Sequence, residues 1–452
     1  MGSLSGWQYY IWQLTQRGSK KESMKYLIKN GRVIDPANKI DDILDMLISE
    51  GKVQRIEKGL PEGGCEIIDA KNLIISPGLV DMHAHLREPG REDEETVLTG
   101  TRAAIKGGFT SVACMPNTEP PLDNPAIVRS LNEIIEKNAL ANVFVVGAIT
   151  EGRAGKRPTD FHKLKREHIV AVSDDGSSVE DDLVILEALR QAKEEGLLVI
   201  EHCEDTKISA NGVMNQGFVA TKLGLRGIPA GSEYERVKRN IELAKKESSA
   251  IHIAHVSAKE SVELIRKAKK SGIKVTAETA PHYFSLTEEC CASYDTNTKM
   301  NPPLRTKEDI EAIKMGLKDG TINCIATDHA PHTDNEKDVE FDFAPFGIIG
   351  LETCLSLSAM ELVEKKIMSW SDLIIKMSVN PSKILGIKRG TLKKGAVADI
   401  AIIDPNKEYT YTKDSIESKS KNSPFINWVL KGKAVSVFVG GRLVMKDQEL
   451  CS

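Results

Sequence analysis

The sequence predicts an α/β fold, a (β/α)8 TIM-type barrel joined to a small β-sandwich formed by the N- and C-terminal segments. Three observations predict it. A strand-then-helix unit repeats eight times through the middle of the chain, short apolar runs separated by turn residues occupy both ends, and imidazoles and carboxylates gather where the middle strands stop. The middle strands are expected near Ile75 to His83, Thr110 to Met115, Asn142 to Ile149, Ile169 to Ser173, Leu197 to Glu201, Ala250 to His255, Lys274 to Glu278 and Asn323 to Thr327. Helix punctuation falls between them. Asn124-Pro125 reads as cap and first position ahead of Ile127, Val128, Leu131, Ile134 and Ile135, and Ser257 with Glu260 reads as a capping box. No strand ends in GxGxxG, which tells against a doubly wound nucleotide-binding sheet.

The two ends share one texture. Tyr26 to Ile28, Arg32 to Ile34, Met46 to Ile48 and Val53 to Ile56 alternate with Gly, Asn and Asp, as do Gly395 to Asp404, Ala434 to Val439 and Arg442 to Met445. The expected division is 24–76 and 389–452 for the sandwich and 77–388 for the barrel. Residues 1–23 match nothing that follows, whereas Met24 opens a clean strand pattern, so they read as a disordered extension ahead of a native start at Met24.

Bulk properties exclude several function classes. Sixty-one Lys and Arg against 65 Asp and Glu leave a net charge of −4, so no basic field is available for nucleic acid or an anionic membrane. No apolar run approaches the roughly 20 residues of a membrane span, and the first residues lack signal-peptide order. The eight cysteines form no CxxC pair and mostly lie in apolar segments, which predicts reduced thiols and a cytoplasmic setting.

Barrel active sites sit at the C-terminal ends of the strands. The first strand ends Asp81-Met82-His83-Ala84-His85, where a two-residue spacing puts both imidazoles on one face, as two nitrogen ligands of one Zn²⁺ require. The fourth ends Ser173-Asp174-Asp175-Gly176, the fifth Glu201-His202-Cys203, the sixth His252-Ile253-Ala254-His255 and the eighth Ala326-Thr327-Asp328-His329-Ala330-Pro331-His332. One histidine at a strand end is ordinarily structural. Coincidence fails as an explanation when most of only ten histidines collect at one barrel mouth. His162, His168, His252, His282 and His329 read as structural.

Asp81 to Gly90 (DMHAHLREPG) and Ala326 to His332 (ATDHAPH), the latter followed by Lys337, closely resemble the signature stretches of the dihydroorotase branch of the amidohydrolase superfamily. The resemblance runs from Met24 to Val444. It implies that His83, His85 and Asp328 hold one zinc while His202 and His255 face a second position. Relatives often bridge two metals with a carbamylated lysine at the end of the fourth strand, but this chain has Asp174-Asp175 there. Asp175 is the expected bridge or ligand, with one or two Zn²⁺ per chain. Cys203, beside His202, is a soft competitor or an ordinary buried thiol.

Opening a cyclic amide needs a nucleophile that Zn²⁺ supplies by lowering the pKa of bound water from about 15.7 to about 7. Asp328 is the expected catalytic proton carrier. The resemblance implies reversible cyclisation of N-carbamoyl-L-aspartate to L-dihydroorotate, in pyrimidine biosynthesis. Arg87, two residues past His85, suits a substrate carboxylate because charge-assisted bonds are the strong ones. By resemblance Arg87, Asn117 and His332 hold that carboxylate, while Asn301 and the Phe346-Gly347 backbone meet the ring's amide edge. The acidic loop from His332 to Phe346 reads as a weakly anchored lid, with Val339, Phe341 and Phe343 its few apolar contacts. Competing readings are a hydantoinase, dihydropyrimidinase or allantoinase, whose rings need no guanidinium, and a non-catalytic scaffold for aspartate transcarbamoylase. Complex formation with that transcarbamoylase and homo-oligomerisation are further expectations.

Overall fold

The computed structural model describes residues 24–451; the reading of residues 1–23 lies outside the described residues. All eight expected middle strands form: Leu79–Ala84, Phe109–Cys114, Asn142–Ala148, Ala171–Ser173, Leu198–Glu201, Ile251–Ile253, Val275–Thr279 and Cys324–Ile325. They lie parallel in chain order in one eight-stranded sheet. The barrel closes where Ala84 bridges His329 and the His85 amide donates to the His329 carbonyl at 2.8 Å. Period-2 alternation sorts the side chains. Ala113, Val146, Ile200 and Cys324 cluster with residues of other strands, whereas Val112, Val145, Val199 and Ile325 pack with helix residues such as Ile105, Leu131, Leu189 and Ile265. Both strand faces are therefore buried, as a parallel sheet requires.

Asn124 caps its helix as expected, accepting from the Ala126 and Ile127 amides with Pro125 at the first position. The expected capping box at Ser257 is absent. The helix Lys259–Lys270 starts after Ala258 with no side-chain cap, because the Ser257 hydroxyl donates to the buried Glu233 carboxylate, which also accepts from the Ser257 and Ala258 amides. A distant acid has taken the role that local spacing assigned to Glu260.

Both chain ends build the nine-stranded sheet of the sandwich. Its seam is the antiparallel pairing of Ile74–Pro77 with Ile400–Thr410, and its core includes Ile28, Met46, Ile75, Ile400, Ile402 and Phe438. The apolar run expected as one strand from Ile75 to His83 is thus two strands in two sheets, broken at Gly78. A Cβ on Gly78 would lie 2.1 Å from Thr110 Oγ1, so only glycine lets the chain pass between sheets here. Among the described residues no helix is long and apolar enough to cross a membrane. Gly78→Ala is expected to destabilise the fold by about 1–3 kcal/mol through overpacking, measured as a lower urea midpoint at unchanged slope.

Candidate metal centre and substrate pocket

The strand ends converge on Asp175. Its Oδ1 lies 3.3 Å from His83 Nε2 and 3.4 Å from His255 Nε2, and its Oδ2 lies 3.5 Å from His85 Nε2. His202 Nδ1 is 3.9 Å from Asp175 Oδ1 and 2.9 Å from His255 Nε2. Two trios that share this carboxylate are compact enough to hold an ion: His83, His85 and Asp175, and Asp175, His202 and His255. Asp328 Oδ1 stands 3.3 Å from His85 Nε2 and 3.6 Å from His83 Nε2. Neighbouring Asp174 is turned away, accepting from the Thr150 amide and hydroxyl, so the two adjacent acids divide between structure and centre.

Protonation fits a cation in this space. His83 Nδ1 donates to Glu278 Oε1 at 2.6 Å, His85 Nδ1 to Asn117 Oδ1 at 2.7 Å and His202 Nε2 to Glu204 Oε2 at 3.2 Å. Each bond leaves the opposite ring nitrogen as a lone pair facing the centre. His83 Nε2 and Asp175 Oδ1, which face the centre, are buried without a hydrogen-bond partner. Converging nitrogen and oxygen lone pairs with too few protons between them make a donor set suited to Zn²⁺.

Three residues of the site have left-handed backbone. His255, Asp328 and Arg87 have φ of 32°, 48° and 61°, a region that non-glycine residues rarely enter. Burial pushes the Asp328 carboxyl up, but the His85, His83 and His255 imidazoles beside it outweigh that and hold it well below the usual carboxylate range. Asp328 is therefore ionised at neutral pH.

On the substrate side, Arg87 Nε donates to the Pro331 carbonyl at 3.2 Å, and Arg87 Nη2 lies 3.4 Å from His332 Nε2. His332 Nε2 is also 2.9 Å from the Phe346 carbonyl oxygen. Asn301 Nδ2 donates to Glu204 Oε2 at 2.8 Å, which turns its amide oxygen away from that acid. Gly347 has φ of 123°, and a Cβ there would come within 2.6 Å of Ala330 Cβ. Arg87, His332 and Phe346 are thus brought together, while Asn117 spends its amide oxygen on His85 of the first trio and Asn301 its amide nitrogen on Glu204, beside the second.

The loop after the eighth strand is better held than its apolar content suggested. Phe341 is buried, whereas Val339 and Phe343 are exposed. The anchors are polar: Lys337 Nζ donates to the Thr296 and Pro345 carbonyls at 3.1 and 2.7 Å, and Lys299 Nζ to the Phe341 and Asp342 carbonyls at 2.8 and 3.0 Å. Burial lowers these lysines to about 7 and about 8. Thr333 and Glu336 form a capping box on the helix Asp334–Lys337, and Asn422 Nδ2 donates to the Ala330 and Gly347 carbonyls, each at 3.1 Å.

The other histidines have surroundings of their own. His162 pairs with Glu195 at the surface, and His329 is held between Glu95 and the Gly350 amide. His282 is buried, and burial lowers it to about 4. His252 Nε2 lies 3.3 Å from Glu278 Oε2, so it leans on the acid that orients His83. Cys203 accepts from Asn240 Nδ2, burial pushes its thiol far up, and it belongs to neither metal trio. Sequence reasoning missed Glu278, Glu204 and Glu94. The first two carried a signal, one closing the seventh strand and the other two residues past His202. Glu278→Gln keeps the shape and removes the charge behind His83; zinc affinity, read by chelator competition, is expected to fall about 10–100-fold. Unchanged affinity would remove Glu278 from the centre's support.

The chain matches the Dihydro-orotase-like family model over residues 72–261. It is 54% identical over 427 residues to a dihydroorotase of Elusimicrobium minutum, covering 94% of this chain and 99% of that protein. A Geobacter metallireducens dihydroorotase is 52% identical over 424 residues, covering 94% and 100%. Among solved structures, an Arthrobacter aurescens L-hydantoinase superposes with a TM-score of 0.85 at 23% identity, covering 94% and 97% of the two chains, which is a likeness of fold. With curated relatives matched along nearly their whole length at more than half identity, and the His-Asp trios in place at the barrel mouth, the chain belongs to the dihydroorotase family.

Proposed function

We propose that the reaction, the reversible cyclisation of N-carbamoyl-L-aspartate to L-dihydroorotate with loss of water, runs at Asp328 beside the two His-Asp trios. The observation that carries the reading is Asp175 shared between two histidine pairs, with ionised Asp328 against the first pair. His83, His85, Asp175, His202, His255 and Asp328 would hold one or two zinc ions. Bound there, zinc supplies Lewis acidity, polarising the reacting carbonyl and acidifying water. Asp328 accepts the proton of the attacking water and returns it to the ring nitrogen as the C–N bond breaks. Run backwards, the same carboxyl takes the proton from the attacking carbamoyl nitrogen and gives it to the departing oxygen, so the ring closes and water leaves.

Arg87, Asn117 and His332 take the substrate carboxylate in this reading, and Asn301 with the Phe346–Gly347 backbone takes the amide edge of the ring. The cation beside His332 supports it, since a hydantoin or dihydropyrimidine ring has no carboxylate to place there. Every residue assigned to the metal is present, which a non-catalytic scaffold would not need. Association with an aspartate transcarbamoylase, homo-oligomerisation and a cytoplasmic setting are proposals too. The product of that transcarbamoylase is the open-chain substrate, and all eight cysteines are free, as a reducing compartment would keep them. The polar anchors of the 332–346 loop argue against needing a partner to order it.

His83→Ala and Asp328→Ala are each expected to abolish dihydroorotate turnover in metal-analysed protein; a near-native rate in either variant with zinc bound would sink the assignment. Arg87→Met is expected to cost about 2–5 kcal/mol in kcat/KM for dihydroorotate, the scale for truncating a buried charge pair. A neutral ring lacking the carboxylate should be far less affected, and equal losses on both would refute the clamp.

A further inference from the structure

Glu94 lies in the loop after the first strand and is almost fully buried. Its carboxylate reaches both members of the proposed clamp: Oε2 is 3.0 Å from Arg87 Nε, and Oε1 is 2.7 Å from His332 Nδ1. Arg91 Nη2 lies 3.2 Å from the same Oε1 and 2.6 Å from Glu336 Oε1, so the acid is also tied to the helix that follows His332. Glu94, His332 and Glu336 are close enough together to suggest a third metal trio. Two guanidinium groups already sit on Glu94 and Glu336, and their positive charge excludes a cation.

A buried carboxylate needs such partners, but the partners gain something as well. Arg87 has one Nε–H and four Nη–H donors, and His332 has two ring nitrogens. Glu94 and the Pro331 carbonyl, 3.0 and 3.2 Å from Arg87 Nε, share its single Nε–H and leave the Nη face for a substrate carboxylate. Engaging His332 at Nδ1 makes that atom the proton donor and directs Nε2 to the other side of the ring. His332 Nε2, 2.9 Å from the Phe346 carbonyl, and Arg87 Nη2 then converge at 3.4 Å; Nε2 donates to a carboxylate there only when it carries a proton, which the anionic Glu94 on Nδ1 favours.

We propose that Glu94 is a positioning residue for substrate binding, a single buried acid that aims Arg87 and His332 at one point where the substrate carboxylate docks. The proposal rests on the carboxylate clamp described above. It concerns binding more than chemistry, because Glu94 touches neither the trios nor Asp328.

The test uses zinc-loaded full-length protein carrying Glu94→Gln, with Glu94→Asp and Arg87→Met in parallel. Glu94→Gln is expected to raise KM for dihydroorotate roughly 10–100-fold, the scale for losing one charge-assisted hydrogen bond, while kcat falls much less and zinc content holds. Glu94→Asp keeps the charge on a shorter stem and should recover part of the KM; it also covers the case in which the glutamine variant does not fold. A merely structural role would lower Tm and active fraction in both variants and leave the KM of the folded fraction unchanged, which overturns the proposal. If Arg87→Met raises KM and Glu94→Gln does not, the clamp survives and the positioning role falls. If Arg87→Met leaves KM unchanged, the clamp reading fails and takes this inference with it.

Discussion

Buried Asp81 ties the first barrel strand to the eighth. Its carboxylate accepts from the Thr327 amide at 3.0 Å, from the Thr327 hydroxyl at 2.5 Å and from the His83 amide at 3.2 Å. Burial pushes this acid up to about 7 even with those three donors holding it down. The approach of Asp328 to His83 and His85 depends on this contact together with the Ala84–His329 bridge, because the two histidines come from one side of the closure and Asp328 from the other.

Around that closure the centre is arranged in two layers with different electrostatic tasks. The inner layer presents lone pairs, and the outer layer of Glu278, Asn117 and Glu204 accepts the imidazole protons that would otherwise point inward. Outer residues are shared between functions: Glu204 serves His202 and Asn301, and Glu278 serves His83 and His252. Such sharing couples metal geometry to substrate geometry, since a carboxylate that moves for one partner moves for the other.

What the sequence disclosed follows from the range of the interactions concerned. Strand ends, the HxH pair and the Asn124 cap depend on neighbours within a few residues, so spacing alone located them. Asp175 could be named from its place after the fourth strand, but its position between two histidine pairs is a property of closure. Glu278 acts on His83 across 195 residues, and Lys299 on the Phe341 carbonyl across 42, with no local pattern to announce either. The Ser257 cap failed for the same reason, because Glu233, 24 residues upstream, competed successfully for the hydroxyl. The loop after the eighth strand looked loose because apolar content was the only visible anchor, whereas lysine side chains donating to backbone carbonyls hold it.

The seam of the sandwich has a consequence for how the chain comes off the ribosome. Ser76 on one side of the seam and Ala401 on the other are separated by 325 residues. At about 5–20 residues per second, the strand Ile74–Pro77 waits roughly 15–65 s before its partner exists. Throughout that interval the N-terminal strands present an unpaired, apolar sheet edge, the feature most prone to pairing with another chain. Chaperone demand during synthesis should therefore be set by the length of the barrel inserted between the two halves of the sheet, and lengthening a barrel loop would extend that exposure without touching the sandwich itself.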